Sequence, residues 1–300
     1  MQDRQGQGER QGQGEGRGRG EGQGHPGLQN PQRPTEQREP TSSSQPVVNR
    51  QAIVDGLRAL GVREGDRILV HSSLSRFGYV EGGAPTVIQA LLKAVGDSGT
   101  VLVPTLTGKP TDGPEHPPEF DVLRTPCWTG RIPETFRQWP GAVRSLHPTH
   151  SVAALGADAV RLTTGHEDCR LPCGEGSPWV NLARLGGKLI FFGVTLDCNT
   201  TFHAAEELAG VAYHLQPQPT RCRLTDAEGH TLEREYVLHQ WGTPRRFAAM
   251  TPVLEREGML RQGQIGAATV LVVDDGPMLE FTVNLLRRDP WALACKPTSP

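Results

Sequence analysis

Long apolar runs are missing from this 300-residue chain: nothing in it approaches the roughly 20 consecutive apolar residues that span a bilayer. The short apolar core of a secretory signal is missing from its start as well, so a cytoplasmic location and no membrane partner are expected. Cysteine is scarce. Six cysteines cannot build a disulfide scaffold, and a cytosol would keep them reduced. A basic excess is also lacking, with 31 Lys+Arg against 33 Asp+Glu, so no nucleic-acid partner is expected. The net charge of -2 is compatible with a cationic substrate but too small to demand one. The stretch after RILV holds neither GxGxxG nor GxxxxGK[ST], so neither the dinucleotide fingerprint nor the P-loop is signalled there. The serine of Gly174-Glu175-Gly176-Ser177-Pro178-Trp179 is followed by proline, so the GxSxG nucleophile elbow is absent and a serine hydrolase with it.

The composition breaks near residue 46. Residues 1–46 are Gly, Gln, Arg and Glu with almost no apolar side chain, a mixture that cannot offset its conformational entropy and is expected to be disordered. Its acidic residues cancel its arginines and no aromatics are interleaved, which argues against an RNA-binding arm. Residues 47–300 are long enough for one sizeable core and are expected to form a single domain. VVNRQAIVDGLRALGV and TVIQALLKAVG carry apolar residues at helical spacing and stop at glycine, while RILVHSS, TVLVPTLTG and GKLIFFGV are buried strands. TRCRLTDAEGHTLEREYVL predicts a polar hairpin turning at Glu228-Gly229, and ATVLVVDDGPMLEFTVNLLRRDP a final strand and helix. Strands alternating with helices predict a layered α/β fold, with a central mixed or largely parallel sheet flanked by helices. Residues 108–150, rich in Pro, His and Trp, are irregular, and an insertion that long is expected to line a site.

Two segments combine a strand end with chemistry-bearing residues. In His71-Ser72-Ser73-Leu74-Ser75-Arg76-Phe77-Gly78, hydroxyls and free backbone N–H groups after a strand suit an anion such as a pyrophosphate; the alternative is a capping serine loop. After GKLIFFGV, Asp197 and Asn199 fall in a loop, and His203 and Glu206 stand three apart on one helical face. A histidine beside a carboxylate at a strand end suits a general base. A cluster of His147, His150, Cys169 and Cys173 suggests zinc, but CRLPC departs from the usual ligand spacing, so no metal is expected and His150 receives no role.

Taken together, ILVHSSLSRFGYVEGGAPTVIQALLKAVGDSGTVLVPTLTG, HPTHSVAALGADAV, GEGSPWVNLARLGGKLIFFGVTLDCNTTFHAAEELAG and the closing RRDP resemble the aminoglycoside 3-N-acetyltransferase family, in its order and over roughly residues 47–290. The resemblance implies a non-GNAT α/β fold, acetyl-coenzyme A as co-substrate, and an aminoglycoside acetylated at the 3-amino group of its 2-deoxystreptamine ring. It implies a coenzyme A end lined by His71, Ser72, Ser73, Leu74, Phe77 and Val80, with Thr105 near the pantetheine. It places the catalytic histidine at His203, with Glu206 on the same helix, and a substrate-binding aspartate at Asp197. Glu175 and Asn199 are further candidates around the substrate, and the backbone N–H groups of Asn199–Thr201 are candidate oxyanion donors. The alternatives are an acetyltransferase for another small amine, a Cys198–His203 nucleophile, and a metal-dependent hydrolase. Monomer and dimer are left open.

Overall fold

The computed structural model describes residues 47–296; the expected disorder of residues 1–46 lies outside the described residues. The first helix, α1 (Arg50–Ala59), starts where the Asn49 side chain accepts the Ala52 N–H at 2.9 Å. After it come β1 (Arg67–Ser72), α2 (Gly83–Val95) and β2 (Thr100–Pro104). The stretch expected to be irregular contains three short elements, β3 (Glu119–Asp121), α3 (Arg131–Phe136) and β4 (Val143–Arg144). Next are β5 (Val152–Gly156), α4 (Ala159–Thr163), α5 (Pro178–Arg184), β6 (Lys188–Phe192) and α6 (Thr201–Ala209). The chain closes with β7 (Thr220–Thr225), β8 (Thr231–Tyr236), α7 (Thr251–Arg256), β9 (Leu260–Ile265), β10 (Ala268–Asp274) and α8 (Asp275–Arg288).

Seven strands make one mixed sheet in the order β4-β5-β2-β1-β6-β10-β9. Its centre, β2-β1-β6, is parallel, and both flanks pair antiparallel. Successive side chains of a strand point to opposite faces. In β1, Ile68 and Val70 therefore join the core under α1, α2 and α3, while Leu69 joins the core shared with α5, α6 and α8. His71 takes the same face as Leu69 and stacks flat on Phe191 of the neighbouring strand, ring centroids 5.0 Å apart and 5° from parallel. Both faces of the central strands are covered, so RILV and KLIFF read as continuous apolar runs.

A second sheet, β3-β7-β8, holds the predicted hairpin plus a parallel strand borrowed from the long insertion. Its small core is Phe120, Cys222, Leu224, Tyr236 and Leu238. Gly193 follows β6 with φ +62°, and a Cβ there would collide with that of Arg76. Only glycine lets the chain leave the sheet at this point and enter the loop toward α6. Among the described residues, no helix is long and apolar enough to cross a membrane.

Candidate active site

A cavity of about 360 Å³ opens where the parallel strands end. His71 and Ser72 border it from the end of β1, Pro104 from the end of β2, and Leu106 and Val194 from just beyond β2 and β6. The loop into α6 adds Asp197, Cys198, Asn199, Thr200 and, one turn into the helix, His203. The long insertion supplies Trp128, Thr129, Thr149 and His150, in keeping with the lining role expected of it. Trp241 joins the wall from beyond β8; it and Trp128 stay 39% and 46% exposed, so two aromatic faces stand at the mouth.

The imidazole of His203 is fixed by its neighbours. Its Nδ1 lies 2.7 Å from Glu206 Oε2, a geometry that i and i+3 spacing on α6 makes possible. Glu206 is completely buried and has a counter-charge: Arg245 donates from Nε to Oε1 at 2.8 Å and from Nη2 to Oε2 at 3.5 Å. Arg245 is itself held by the Thr243 carbonyl and lies over the Tyr213 ring. Burial alone would raise the Glu206 carboxyl, but hydrogen bonding to His203 and the adjacent His214 outweigh it, so the group stays ionised. Burial lowers the pKa of His203; Glu206 opposes this only in part, and His214 and Arg245 add to the lowering. At neutral pH His203 is therefore an uncharged imidazole, with its Nδ1–H given to Glu206 and its Nε2 lone pair free to accept a proton.

His214 stacks on His203 at 5.0 Å, 14° from parallel. Two observations on it disagree. Glu206 and Glu207 beside it act against burial and raise its pKa overall, yet Arg245 Nη2 donates to its Nδ1 at 2.9 Å. The same Nδ1 also lies 3.0 Å from Glu206 Oε2, and with carboxylates on both sides the ring holds a proton more readily than an ordinary histidine.

Other residues singled out from the sequence end up elsewhere. Glu175 is exposed and paired with Arg184 on α5, away from the cavity. Phe77 and Val80 are buried under α1 and α2, Phe77 against Phe192 at 4.9 Å, and neither side chain lines the cavity. Thr105 is buried and satisfied by Ser151 (2.9 Å) and Arg144 (3.1 Å). Ser73 and Leu74 do not reach the cavity wall, and the Ser73 hydroxyl meets that of Ser75 at 3.3 Å. Two of the three candidate oxyanion donors are already engaged, the Asn199 N–H with Leu196 O (2.9 Å) and the Thr201 N–H with Asn199 Oδ1 (3.0 Å). Cys198 lines the cavity, but burial of its sulfur and the adjacent Asp197 push its thiol up, the wrong direction for a nucleophile. His147 and Cys169 are separated from any common site: the Nδ1 of His147 accepts the N–H groups of Thr149 and His150, and the Cys169 thiol donates to Gly165 O.

A carboxylate-held neutral imidazole, facing a cavity at the carboxyl ends of parallel strands, has the layout of an α/β enzyme site built for proton transfer. Residues 69–287 match the sequence model of the aminoglycoside 3-N-acetyltransferases. The chain is 41% identical over 258 residues to aminoglycoside N(3)-acetyltransferase VII of Streptomyces paromomycinus, covering 76% of this chain and 87% of that protein. Among solved structures it is similar to AAC-IIIb in a binary complex with CoASH, with a TM-score of 0.69 and 31% identity over 85% of this chain and 100% of that one. It is also similar to AAC-VIa bound to sisomicin, with a TM-score of 0.71 and 26% identity over 81% of this chain and 98% of that one. The chain belongs to the aminoglycoside 3-N-acetyltransferase family.

Proposed function

We propose that this protein transfers the acetyl group of acetyl-coenzyme A to the 3-amino group of a 2-deoxystreptamine aminoglycoside in the cytoplasm, with His203 as general base. The observation that carries this reading is the His203–Glu206 pair, at 2.7 Å, opening on the cavity that the His71-Ser72 turn also borders. An ammonium is no nucleophile, so the acceptor amine must lose a proton before its nitrogen attacks the thioester carbonyl. His203 Nε2 takes that proton, directly or through one water. The tetrahedral intermediate then expels coenzyme A as thiolate; its nitrogen sheds a second proton as the amide forms, so that one of the two protons ends on the sulfur and the other goes to solvent. No enzyme-bound acetyl group is needed. Acetyl-coenzyme A incubated with enzyme alone should therefore release no thiol above the buffer rate; a burst equal to the enzyme concentration would overturn direct transfer.

Asp197 borders the cavity with both carboxylate oxygens anchored, Oδ1 by the Ala248 N–H at 2.9 Å and Oδ2 by the Thr195 hydroxyl at 3.1 Å. Each oxygen keeps a lone pair for a substrate ammonium. A charge-assisted hydrogen bond is worth roughly 1.5–3 kcal/mol. Asp197→Asn should thus raise KM for the aminoglycoside by about 10-fold or more and change kcat less. Equal KM values in wild type and variant would remove Asp197 from the substrate site.

Among the described residues on the cavity wall, Asp197 alone carries a carboxylate, and this favours a second reading in which a less highly charged amine is the acceptor. Thiol release with gentamicin, tobramycin, neomycin and apramycin, run beside simple primary amines, decides between them. Aminoglycoside turnover establishes the first reading; turnover of simple amines alone establishes the second.

A further inference from the structure

Beside the proposed catalytic pair lies a second cluster that this chemistry leaves unused. One ring nitrogen of His150, one of His239 and the sulfur of Cys173 lie within 4.8 Å of one another; His150 and Cys173 are buried, His239 is half-buried, and His150 also lines the cavity. Each histidine has its outer nitrogen held: His150 Nδ1 meets the Thr149 hydroxyl at 2.9 Å, and His239 Nε2 meets Glu207 Oε1 at 2.7 Å. This leaves Nε2 of His150 and Nδ1 of His239 as the nitrogens that can turn toward a shared ion. The backbone N–H of Cys173 donates to both oxygens of the same Glu207, at 3.1 and 3.0 Å. One carboxylate thus fixes two of the three candidate ligands from behind, the arrangement that orients metal-binding side chains.

Charge supplies a separate argument. The two adjacent carboxylates of α6 are treated differently. Glu206 has Arg245 at 2.8 Å, whereas the equally buried Glu207 has no lysine or arginine within ion-pair range among the described residues; it faces the Cys173 N–H, His239, and, at 3.6 Å, the His214 ring whose proton it shares with Glu206. A buried carboxylate with no full counter-charge of its own is costly, and burial raises the Glu207 carboxyl accordingly. A divalent ion bound by two neutral imidazoles and one thiolate carries a net charge of +1, which balances Glu207.

We propose that His150, Cys173 and His239 form a zinc site, with Glu207 as its outer-shell anchor and the fourth coordination position directed toward the cavity. Two nitrogens and one sulfur are donors that zinc accepts, at about 2.0–2.1 Å for nitrogen and 2.3 Å for sulfur. Tetrahedral ligands at those lengths stand about 3.3–3.6 Å apart, so the side chains need to close by up to about 1.5 Å. Binding displaces the Cys173 thiol proton to solvent, and nothing is oxidised or reduced. The site comprises His150 and Cys173 of the four residues weighed from the sequence, joined by His239, which lies 66 or more positions further along the chain.

The test uses the full-length protein, stripped with chelator and titrated with Co²⁺ and then Zn²⁺. Binding of one equivalent is expected, with the visible bands of tetrahedral cobalt and a thiolate-to-cobalt charge-transfer band that zinc abolishes. Cys173→Ser should remove the charge-transfer band and weaken zinc by at least about 10-fold, and His239→Gln should weaken it by about 10–100-fold. The His239 variant keeps the test decisive if the Cys173 variant does not fold. No stoichiometric binding, an octahedral spectrum, or unchanged affinity in a folded variant would overturn the proposal. None of these readouts depends on acetyl transfer, so the zinc site and the proposed reaction fail separately.

Discussion

Replacing His203 with alanine should lower kcat/KM for aminoglycoside acetylation by at least about 100-fold, and by up to about 10⁴-fold. The expectation rests on which nitrogen carries the proton. Glu206 takes the Nδ1–H, so Nε2 is the basic atom. Because burial holds the His203 pKa below 6.5, the base form predominates at neutral pH. The acid limb of kcat/KM in the wild type should therefore have its midpoint below 6.5, and His203→Ala should flatten it. Glu206→Gln tests the same pair by another route. An amide can present its NH₂ to Nδ1 and turn the tautomer, placing the hydrogen on Nε2 where a base needs its lone pair. It also leaves Arg245 without its carboxylate, and breaking a buried ion pair costs about 3–5 kcal/mol. That variant should lose activity like His203→Ala and unfold more readily, whereas His203→Ala, at the cavity wall, should lose activity with a smaller loss of stability. A thiol-release loss under about 10-fold for His203→Ala would end the general-base assignment.

Much of this site is legible in the sequence because one strand and one helix carry it. GKLIFFGV followed by TTFHAAEELAG places His203 and Glu206 by strand end and helical spacing alone. RILVHSS places His71 and Ser72 in the same way. The other half is assembled from distance. Arg245 is 39 residues from Glu206, and His239 is 32 from Glu207, both in a stretch after the hairpin with no periodicity to announce them. Strand β3 pairs in parallel with β7 across about a hundred residues, a pairing with no local signal. Glu175 misleads for a related reason. The glycine-rich loop invites a ligand, but Arg184, one helix further on, takes its carboxylate. Phe77 and Val80 sit in a serine and glycine turn that looks like a ligand loop, yet its apolar members fold back to seal the α1–α2 core. Residue type and strand ends give the position of a site; which side chains complete it depends on tertiary contacts.

The second large effect concerns stability in acid. His166 is completely buried, donating from Nε2 to Pro172 O at 2.9 Å while its Nδ1 meets the Ser145 hydroxyl at 2.9 Å. Ser145 already accepts the Val152 N–H, so its own hydrogen is free to go to Nδ1. The ring is thus a neutral imidazole with both nitrogens used, and burial lowers its pKa to about 4, with the Pro172 carbonyl opposing. In the unfolded chain the same ring titrates near 6.5. Below that value the unfolded state binds the proton and the folded state does not, so stability falls as pH drops from 6.5 toward 4. Between pH 7 and pH 5 this one group costs about 2 kcal/mol. His71, lowered by burial to about 3, costs about as much over the same window. His147, His150 and His239 are lowered by burial in the same direction, and His147 would also have to break the two N–H bonds that its Nδ1 accepts. Burial raises Glu207 and Asp275, and the carboxylates beside His214 raise it, so these three oppose the trend. A single-site comparison removes them from the balance. Urea unfolding of wild type should show a clear loss from pH 7 to pH 5. His166→Gln, weaker than wild type at pH 7 through its lost hydrogen bonds, should show a loss smaller by about 2 kcal/mol over the same interval. An identical pH dependence in the two proteins would mean that the His166 ring is already protonated, or already free to protonate, in the folded state.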